Sequence, residues 1–143
     1  MGSIGRLLRG AVLGLGLVVI AGTVWAQEPD TLATEADVAR LEESFLGHFM
    51  NGEFEDAFAL FRTPASALGT AEVDNLEEAT TRQLATITDS YGEVVDTVLA
   101  DRESVAGTLL RRTYILRYDF LPLRARFVYY YNGEVWRLTF FGW

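Results

Sequence analysis

A closing β-hairpin constrains this chain more than any other feature. Residues 123–143 read LRARFVYYY, then Asn132-Gly133, then EVWRLTFFGW. Asn-Gly between two alternating apolar runs predicts a type I′ turn, because both residues tolerate the positive φ such a turn demands. The two-residue loop sets a register. It places Tyr131 opposite Glu134, Tyr129 opposite Trp136, Phe127 opposite Leu138 and Ala125 opposite Phe140. Side chains alternate along a strand, so these pairs share one apolar face and Arg124, Arg126 and Arg137 share the other. The rest of the chain must cover the apolar face.

The N-terminus is a separate object. Arg6 and Arg9 flank the start of an uncharged run, Ala11 to Gly22, and Val24-Trp25-Ala26 offers a small residue for cleavage before Gln27. This pattern reads as a secretory signal peptide over residues 1–26. An uncleaved anchor is the rival, but the apolar run is short of the roughly 20 residues a spanning helix needs. The expectation is an exported protein, periplasmic or secreted, with no stable membrane span after cleavage. A polar linker, 27–33, then leads into a single domain, 34–143. The chain has no cysteine, which excludes disulfides, thiolate chemistry and a lipoprotein-type anchor.

Charge is unevenly placed. Residues 27–101 hold 17 Asp/Glu against three Arg, whereas residues 102–143 hold seven Arg against three acids. A chain so acidic is a poor partner for nucleic acid. The asymmetry also suggests acidic helices attracted to a basic sheet.

Thr34 with Asp37 resembles a capping box, and Val38, Leu41, Phe45 and Phe49 recur behind it at helical spacing. Asn51-Gly52 ends that helix. GEFEDAFALF forms a second, shorter one stopped at Thr63-Pro64, and the two make a helical hairpin. A third helix spans about Ala71 to Ser90, with Val73, Leu76, Thr80, Leu84, Ile87 and Tyr91 on one side. After Gly92 the period becomes alternating. VVDTVLA is a first strand with the segment to Gly107 as its return, and TLLRRTYILRYDF is a long second strand. A four-residue loop, Phe120 to Leu123, would then pair Asp119 with Arg124, Arg117 with Arg126 and Tyr114 with Tyr129. Helices followed by a four-stranded antiparallel meander make an α+β plan.

GHFMNGEFEDAFALF, a loop, a long helix ending in Tyr91-Gly92, a Tyr-rich strand and a last strand EVWRLTFF together resemble small exported domains of the nuclear transport factor 2-like (cystatin-like) superfamily. The carrying residues are Gly52-Glu53-Phe54 with Ala57 in the hairpin, and Gly133, Trp136, Arg137 and Leu138 at the last strand. The resemblance covers Thr34 to Trp143. It implies an N-terminal helical hairpin and a third helix packed on a curved four-stranded antiparallel sheet. Members range from isomerases and dehydratases to binding modules and dimerisation domains, so it leaves function to the site.

Chemistry is sparse. His48, the one histidine, lies on the margin of the first helix's apolar stripe and has no second histidine or cysteine at ligand spacing, so no metal site is expected. The pairs Glu42-Glu43, Glu55-Asp56 and Glu77-Glu78 point in divergent directions on their helices and read as solvated faces. No calcium loop, nucleophile elbow, phosphate loop or dinucleotide fingerprint is present, and no cofactor is expected. The best binding candidates are Tyr114, Tyr118, Tyr129 and Trp136 on the covered sheet face, with His48 nearby and Arg112 at the edge. Together they can line a pocket for a small apolar ligand. No acid falls on this face of strands two to four, which argues against isomerase- or dehydratase-like chemistry there. On the outer face, Arg117, Arg124, Arg126, Tyr130 and Arg137 mix arginine with apolar side chains, as a protein interface does. The expected partner there is a second copy of the chain or another envelope protein. The reading favoured is a non-catalytic exported binding or interaction domain.

Overall fold

The computed structural model describes residues 31–143, the side chains of residues 87 and 88 excepted. The signal-peptide segment and most of the linker lie outside the described residues. Among the described residues, three helices precede four strands: α1 Glu35–Met50, α2 Phe54–Ala59 with a 3-10 turn Leu60–Arg62, α3 Thr70–Tyr91, β1 Val94–Val105, β2 Leu109–Tyr118, β3 Pro122–Tyr131 and β4 Trp136–Gly142. The strands form one antiparallel sheet in the order β1-β2-β3-β4. The fold is α+β.

Local chemistry explains the helix ends. Thr34 accepts a hydrogen bond from the Asp37 N–H, and the Asp37 carboxylate accepts from the Thr34 N–H at 2.8 Å, closing a capping box. Such a cap stabilises a helix by about 1 kcal/mol. Gly92, at φ +80, ends α3 where a Cβ would lie 2.8 Å from the Asp119 Cβ and 3.0 Å from the Phe120 ring. Only glycine fits both the left-handed backbone and the contact. The β2–β3 turn therefore packs on the α3–β1 turn, and the Asp119 N–H donates to the Glu93 carbonyl at 3.0 Å.

The core lies between the helices and one sheet face. Phe45 of α1 stacks on Phe61 with centroids 4.5 Å apart and meets Phe58, Phe127 and Phe141 edge-on. Each such pair adds about 0.5–1.5 kcal/mol beyond the area it buries. Leu32 is fully buried, and its carbonyl accepts from the Trp136 N–H at 2.7 Å. Leu32, assigned from the sequence to a polar linker, is here part of the core and bridges to the edge of β4 at Trp136.

Register departs from expectation in three places. The closing hairpin has a four-residue connection, Asn132 to Val135, and Tyr131 faces Trp136 while Tyr129 faces Leu138. The cause is the Asn132 side chain, whose Oδ1 accepts from the N–H groups of both Glu134 and Val135 at 3.0 Å and so widens the turn. The tightest connection is instead β1–β2, three residues from Ala106 to Thr108, where Ala106 and Gly107 take φ of 52° and 65°. Second, Thr139 is an extra residue of β4 opposite Val128, and its hydroxyl donates to the Val128 carbonyl. This bulge turns Phe140 outward and buries Phe141, reversing their expected faces. Third, β2 and β3 pair Arg117 with Pro122, Thr113 with Arg126, Ile115 with Arg124 and Leu110 with Tyr129. Arg117 does not face Arg126, Asp119 does not pair Arg124, and Tyr114 faces Ala125. β1 also runs unbroken to Val105 rather than folding back on itself, with irregularities beside Val95 and Ala100.

Candidate functional site

α1 supplies the acid that the strands lack. Glu42 sits four residues after Val38 and three before Phe45, on the helix face that packs against the sheet, and is fully buried. It is not part of a solvated face; Glu43 is the exposed member of that pair. The Glu42 Oε2 accepts a hydrogen bond from the Tyr114 hydroxyl at 2.6 Å and lies 2.6 Å from the Arg112 Nε. The Arg112 Nε–H is not aimed along that line, so this is an ion contact rather than an aligned hydrogen bond. The Arg112 Nη2 donates to the Tyr114 oxygen at 3.1 Å, which closes a triangle of acid, guanidinium and phenol. The Tyr129 hydroxyl and the Glu42 Oε1 are both buried nearby without an aligned hydrogen bond.

Burial dominates the electrostatics. It raises the Glu42 pKa above its ordinary 4.5, while Tyr114, Arg112 and Tyr129 pull the other way. Burial together with the neighbouring Glu42 charge pushes the Tyr114 phenol up to about 12. Tyr129, fully enclosed, is raised well above its ordinary 10 by burial and by the Glu42 charge. Both phenols are therefore neutral hydrogen-bond donors at any ordinary pH, suited to hold an anion in place.

The sequence-selected aromatics do not converge on one pocket. Tyr129 and Trp136 are core residues. Tyr118, half-buried, meets the Tyr91 ring edge-on at 5.8 Å at the β2 end of the sheet, whereas Trp136 packs on Tyr131 beyond the other end of β2. Only Tyr114 has a dual position. It lines an open groove of about 440 Å³ between α1 and β1, with Leu46, Met50 and Thr97, and its hydroxyl reaches the buried Glu42. A groove of that volume is large enough for a small ligand. Tyr118 borders a separate hollow of about 110 Å³ with Phe49, Phe54 and Leu84.

His48 stands outside this cluster. Its Nδ1 lies 2.7 Å from the Glu53 Oε2 on the exposed turn between α1 and α2. Ligand atoms of His48, Glu53 and Asp56 all fall within 4.8 Å of one another. Chain spacing alone hid this grouping, because the partners are carboxylates beyond the helix end rather than a second imidazole.

The outer sheet face has its own pattern. Cross-strand rows run Glu103–Arg111–Val128–Phe140 and Asp101–Thr113–Arg126–Gly142, with Val98–Ile115–Arg124 and Asp96–Arg117–Pro122 beyond them. Arg117 pairs with Asp96, and Arg111 with Glu103. Among the described residues, Arg124, Arg126 and Arg137 have no ion pair within 4.0 Å. Val98, Leu109, Tyr130 and Phe140 expose large apolar surface among these charges.

No protein-family model matches the chain, and no curated protein matches it in sequence. Among the described residues, no helix is long and apolar enough to cross a membrane.

Proposed function

We propose that this chain is an exported, non-catalytic interaction domain of the nuclear transport factor 2-like kind, whose outer sheet face binds a second copy of itself. The observation that carries this reading is the charge layout of that face. The acids on β1 already share the β2 arginines, Asp96 with Arg117 and both Asp101 and Glu103 with the one Arg111, whereas the arginines on β3 and β4 have no carboxylate partner among the described residues. Strands lie about 4.8 Å apart, so β1 and β3 are roughly 10 Å apart, too far to neutralise each other within one copy. A two-fold axis running along β2 lays each β3 over the other copy's β1. Arg124 and Arg126 then approach Asp96, Asp101 and Glu103 of the other copy, while Val98, Ile115 and Tyr130 leave water. The Arg6-to-Gln27 pattern is the support for export.

Sedimentation velocity from roughly 1 to 100 µM tests the proposal. A dimer that weakens when salt shortens the screening length is the expected result. A strict monomer at tens of micromolar sinks the homodimer and leaves an acidic envelope partner as the reading to pursue.

A second reading, isomerase- or dehydratase-like proton transfer on a small apolar ligand, is favoured by Tyr114. This residue lines the open groove while its hydroxyl touches a carboxylate whose pKa burial has raised, and raised acids are apt for proton transfer near neutrality. Glu42 itself is sealed, so Tyr114 would have to swing aside. Ligands that raise the wild-type melting temperature and fail to do so in Tyr114→Ala would support it.

A further inference from the structure

We propose that His48, Glu53 and Asp56 form a binding site for one divalent transition-metal ion. Backbone hydrogen bonds lock the turn that joins α1 to α2. The Glu53 N–H donates to the His48 carbonyl at 2.9 Å, and the Ala57 N–H donates to the Glu53 carbonyl at 3.0 Å. The backbone therefore fixes how the last turn of α1 meets the first turn of α2. Glu53 holds the N-cap position of α2, yet its side chain makes no capping hydrogen bond. It turns to His48 instead, and its Oε2 lies 2.7 Å from Nδ1. Asp56, on the first turn of α2, brings its carboxylate to the same place, with the three donor atoms within 4.8 Å of one another.

The donor chemistry selects the class of ion. Ligands bonded at 2.0–2.1 Å to a tetrahedral ion sit roughly 3.3 Å apart, so small rotations of these side chains close the set. One imidazole nitrogen with two carboxylates makes a neutral site around a divalent ion and leaves positions for water. Imidazole favours zinc, copper or nickel over calcium and magnesium, which prefer oxygen alone. For the neutral imidazole, an ion between Nδ1 and Glu53 takes the place of the Nδ1 proton, which moves to Nε2, so no proton is released. Access is open: Glu53 and Asp56 line a surface hollow of about 410 Å³ with Glu55 and Glu77. Arg62, the ion partner of Glu77 on that wall, is also held by Asp74. Binding would pin α1 to α2.

Zinc chloride titrated into the full-length protein, followed by calorimetry and by the ¹⁵N signals of its single imidazole, tests the site. One equivalent should bind and shift the Nδ1 resonance. His48→Gln and Asp56→Asn should each weaken binding at least about tenfold, since even changes behind a metal's ligands cost roughly 10–100-fold. Glu55→Gln, in the same hollow but outside the triad, should leave affinity unchanged. The proposal is overturned if zinc binds without moving the imidazole, if Glu55→Gln weakens binding as much as Asp56→Asn, or if calcium competes equally. Absence of binding at millimolar zinc overturns it too.

Discussion

The two faces of one sheet handle arginine in opposite ways. On the inner face Arg112 is buried, pressed against Glu42 and bonded to Tyr114, and the aromatic residues around it fill the core. On the outer face Arg124, Arg126 and Arg137 lie beside exposed apolar side chains and, among the described residues, have no carboxylate partner. A buried cation must be compensated inside the molecule, because desolvating it alone costs several kcal/mol. A surface cation need not be, and can find its counter-charge on a partner. The inner arginine is thus read as a structural element and the outer ones as a recognition surface.

The largest expected effect falls inside. Arg112→Met strands a fully buried carboxylate and should lower unfolding free energy by about 3–5 kcal/mol in urea titration. Glu42→Leu combined with Arg112→Met removes both charges and should recover most of that loss. Equal losses in the single and double variants would show that the pair is not coupled and would break the contrast between the faces. Tyr114→Phe keeps the ring and deletes the hydroxyl bonded to Glu42, for an expected loss of about 1.5–3 kcal/mol.

Acid titration sharpens the same point with a sign. Burial raises the folded-state pKa of Glu42 above its ordinary 4.5, so the folded chain keeps that proton to higher pH than the unfolded chain does. Stability from this group is full below about pH 4.5 and is lost as pH climbs through the raised value. Subtracting the unfolding free energy of Glu42→Gln from that of the native protein, pH by pH, should give a difference that falls over that window. A difference that rises with pH would mean that Arg112 and Tyr114 outweigh burial.

Much of the plan was legible in the chain. The Thr34–Asp37 box, the stop at Asn51-Gly52, the change of period after Gly92 and the α+β order all follow from local chemistry that acts within a few residues. Register was less so. Asn132 could serve a tight turn by its backbone or a wider one by its side chain, and the Thr139 bulge leaves no mark beyond a polar residue next to two phenylalanines. Glu42 was the costlier miss. Its place four residues after Val38 and three before Phe45 marks it as inward-facing, and Arg112 alternating with Leu110 and Tyr114 is an inward arginine that requires an acid. Taken alone, Glu42 reads as part of a solvated face and Arg112 as the edge of the covered one; only their combination signals a buried pair. The His48–Glu53–Asp56 grouping is formed by a turn, so the linear spacing rules that find imidazole pairs pass over it.

The smallest effect on stability should come with the largest effect on association. Arg124→Glu with Arg126→Glu reverses two exposed or half-exposed charges that make no ion pair among the described residues, and surface changes of that kind usually move stability by no more than about 0.5 kcal/mol. On a two-fold face-to-face dimer, however, both new carboxylates meet the β1 acids of the other copy. Like charges brought together at an interface cost several kcal/mol, so dimerisation should fall more than about tenfold at low salt and recover in part as salt screens the repulsion. Adding Asp101→Arg and Glu103→Arg, with Arg111→Glu to keep their cross-strand pairing, restores complementarity with the signs exchanged. If the reversed face pairs again in sedimentation, electrostatic matching across the two-fold is what selects the partner. If the double arginine variant unfolds as readily as Arg112→Met, the outer arginines are structural after all and the contrast between the faces fails.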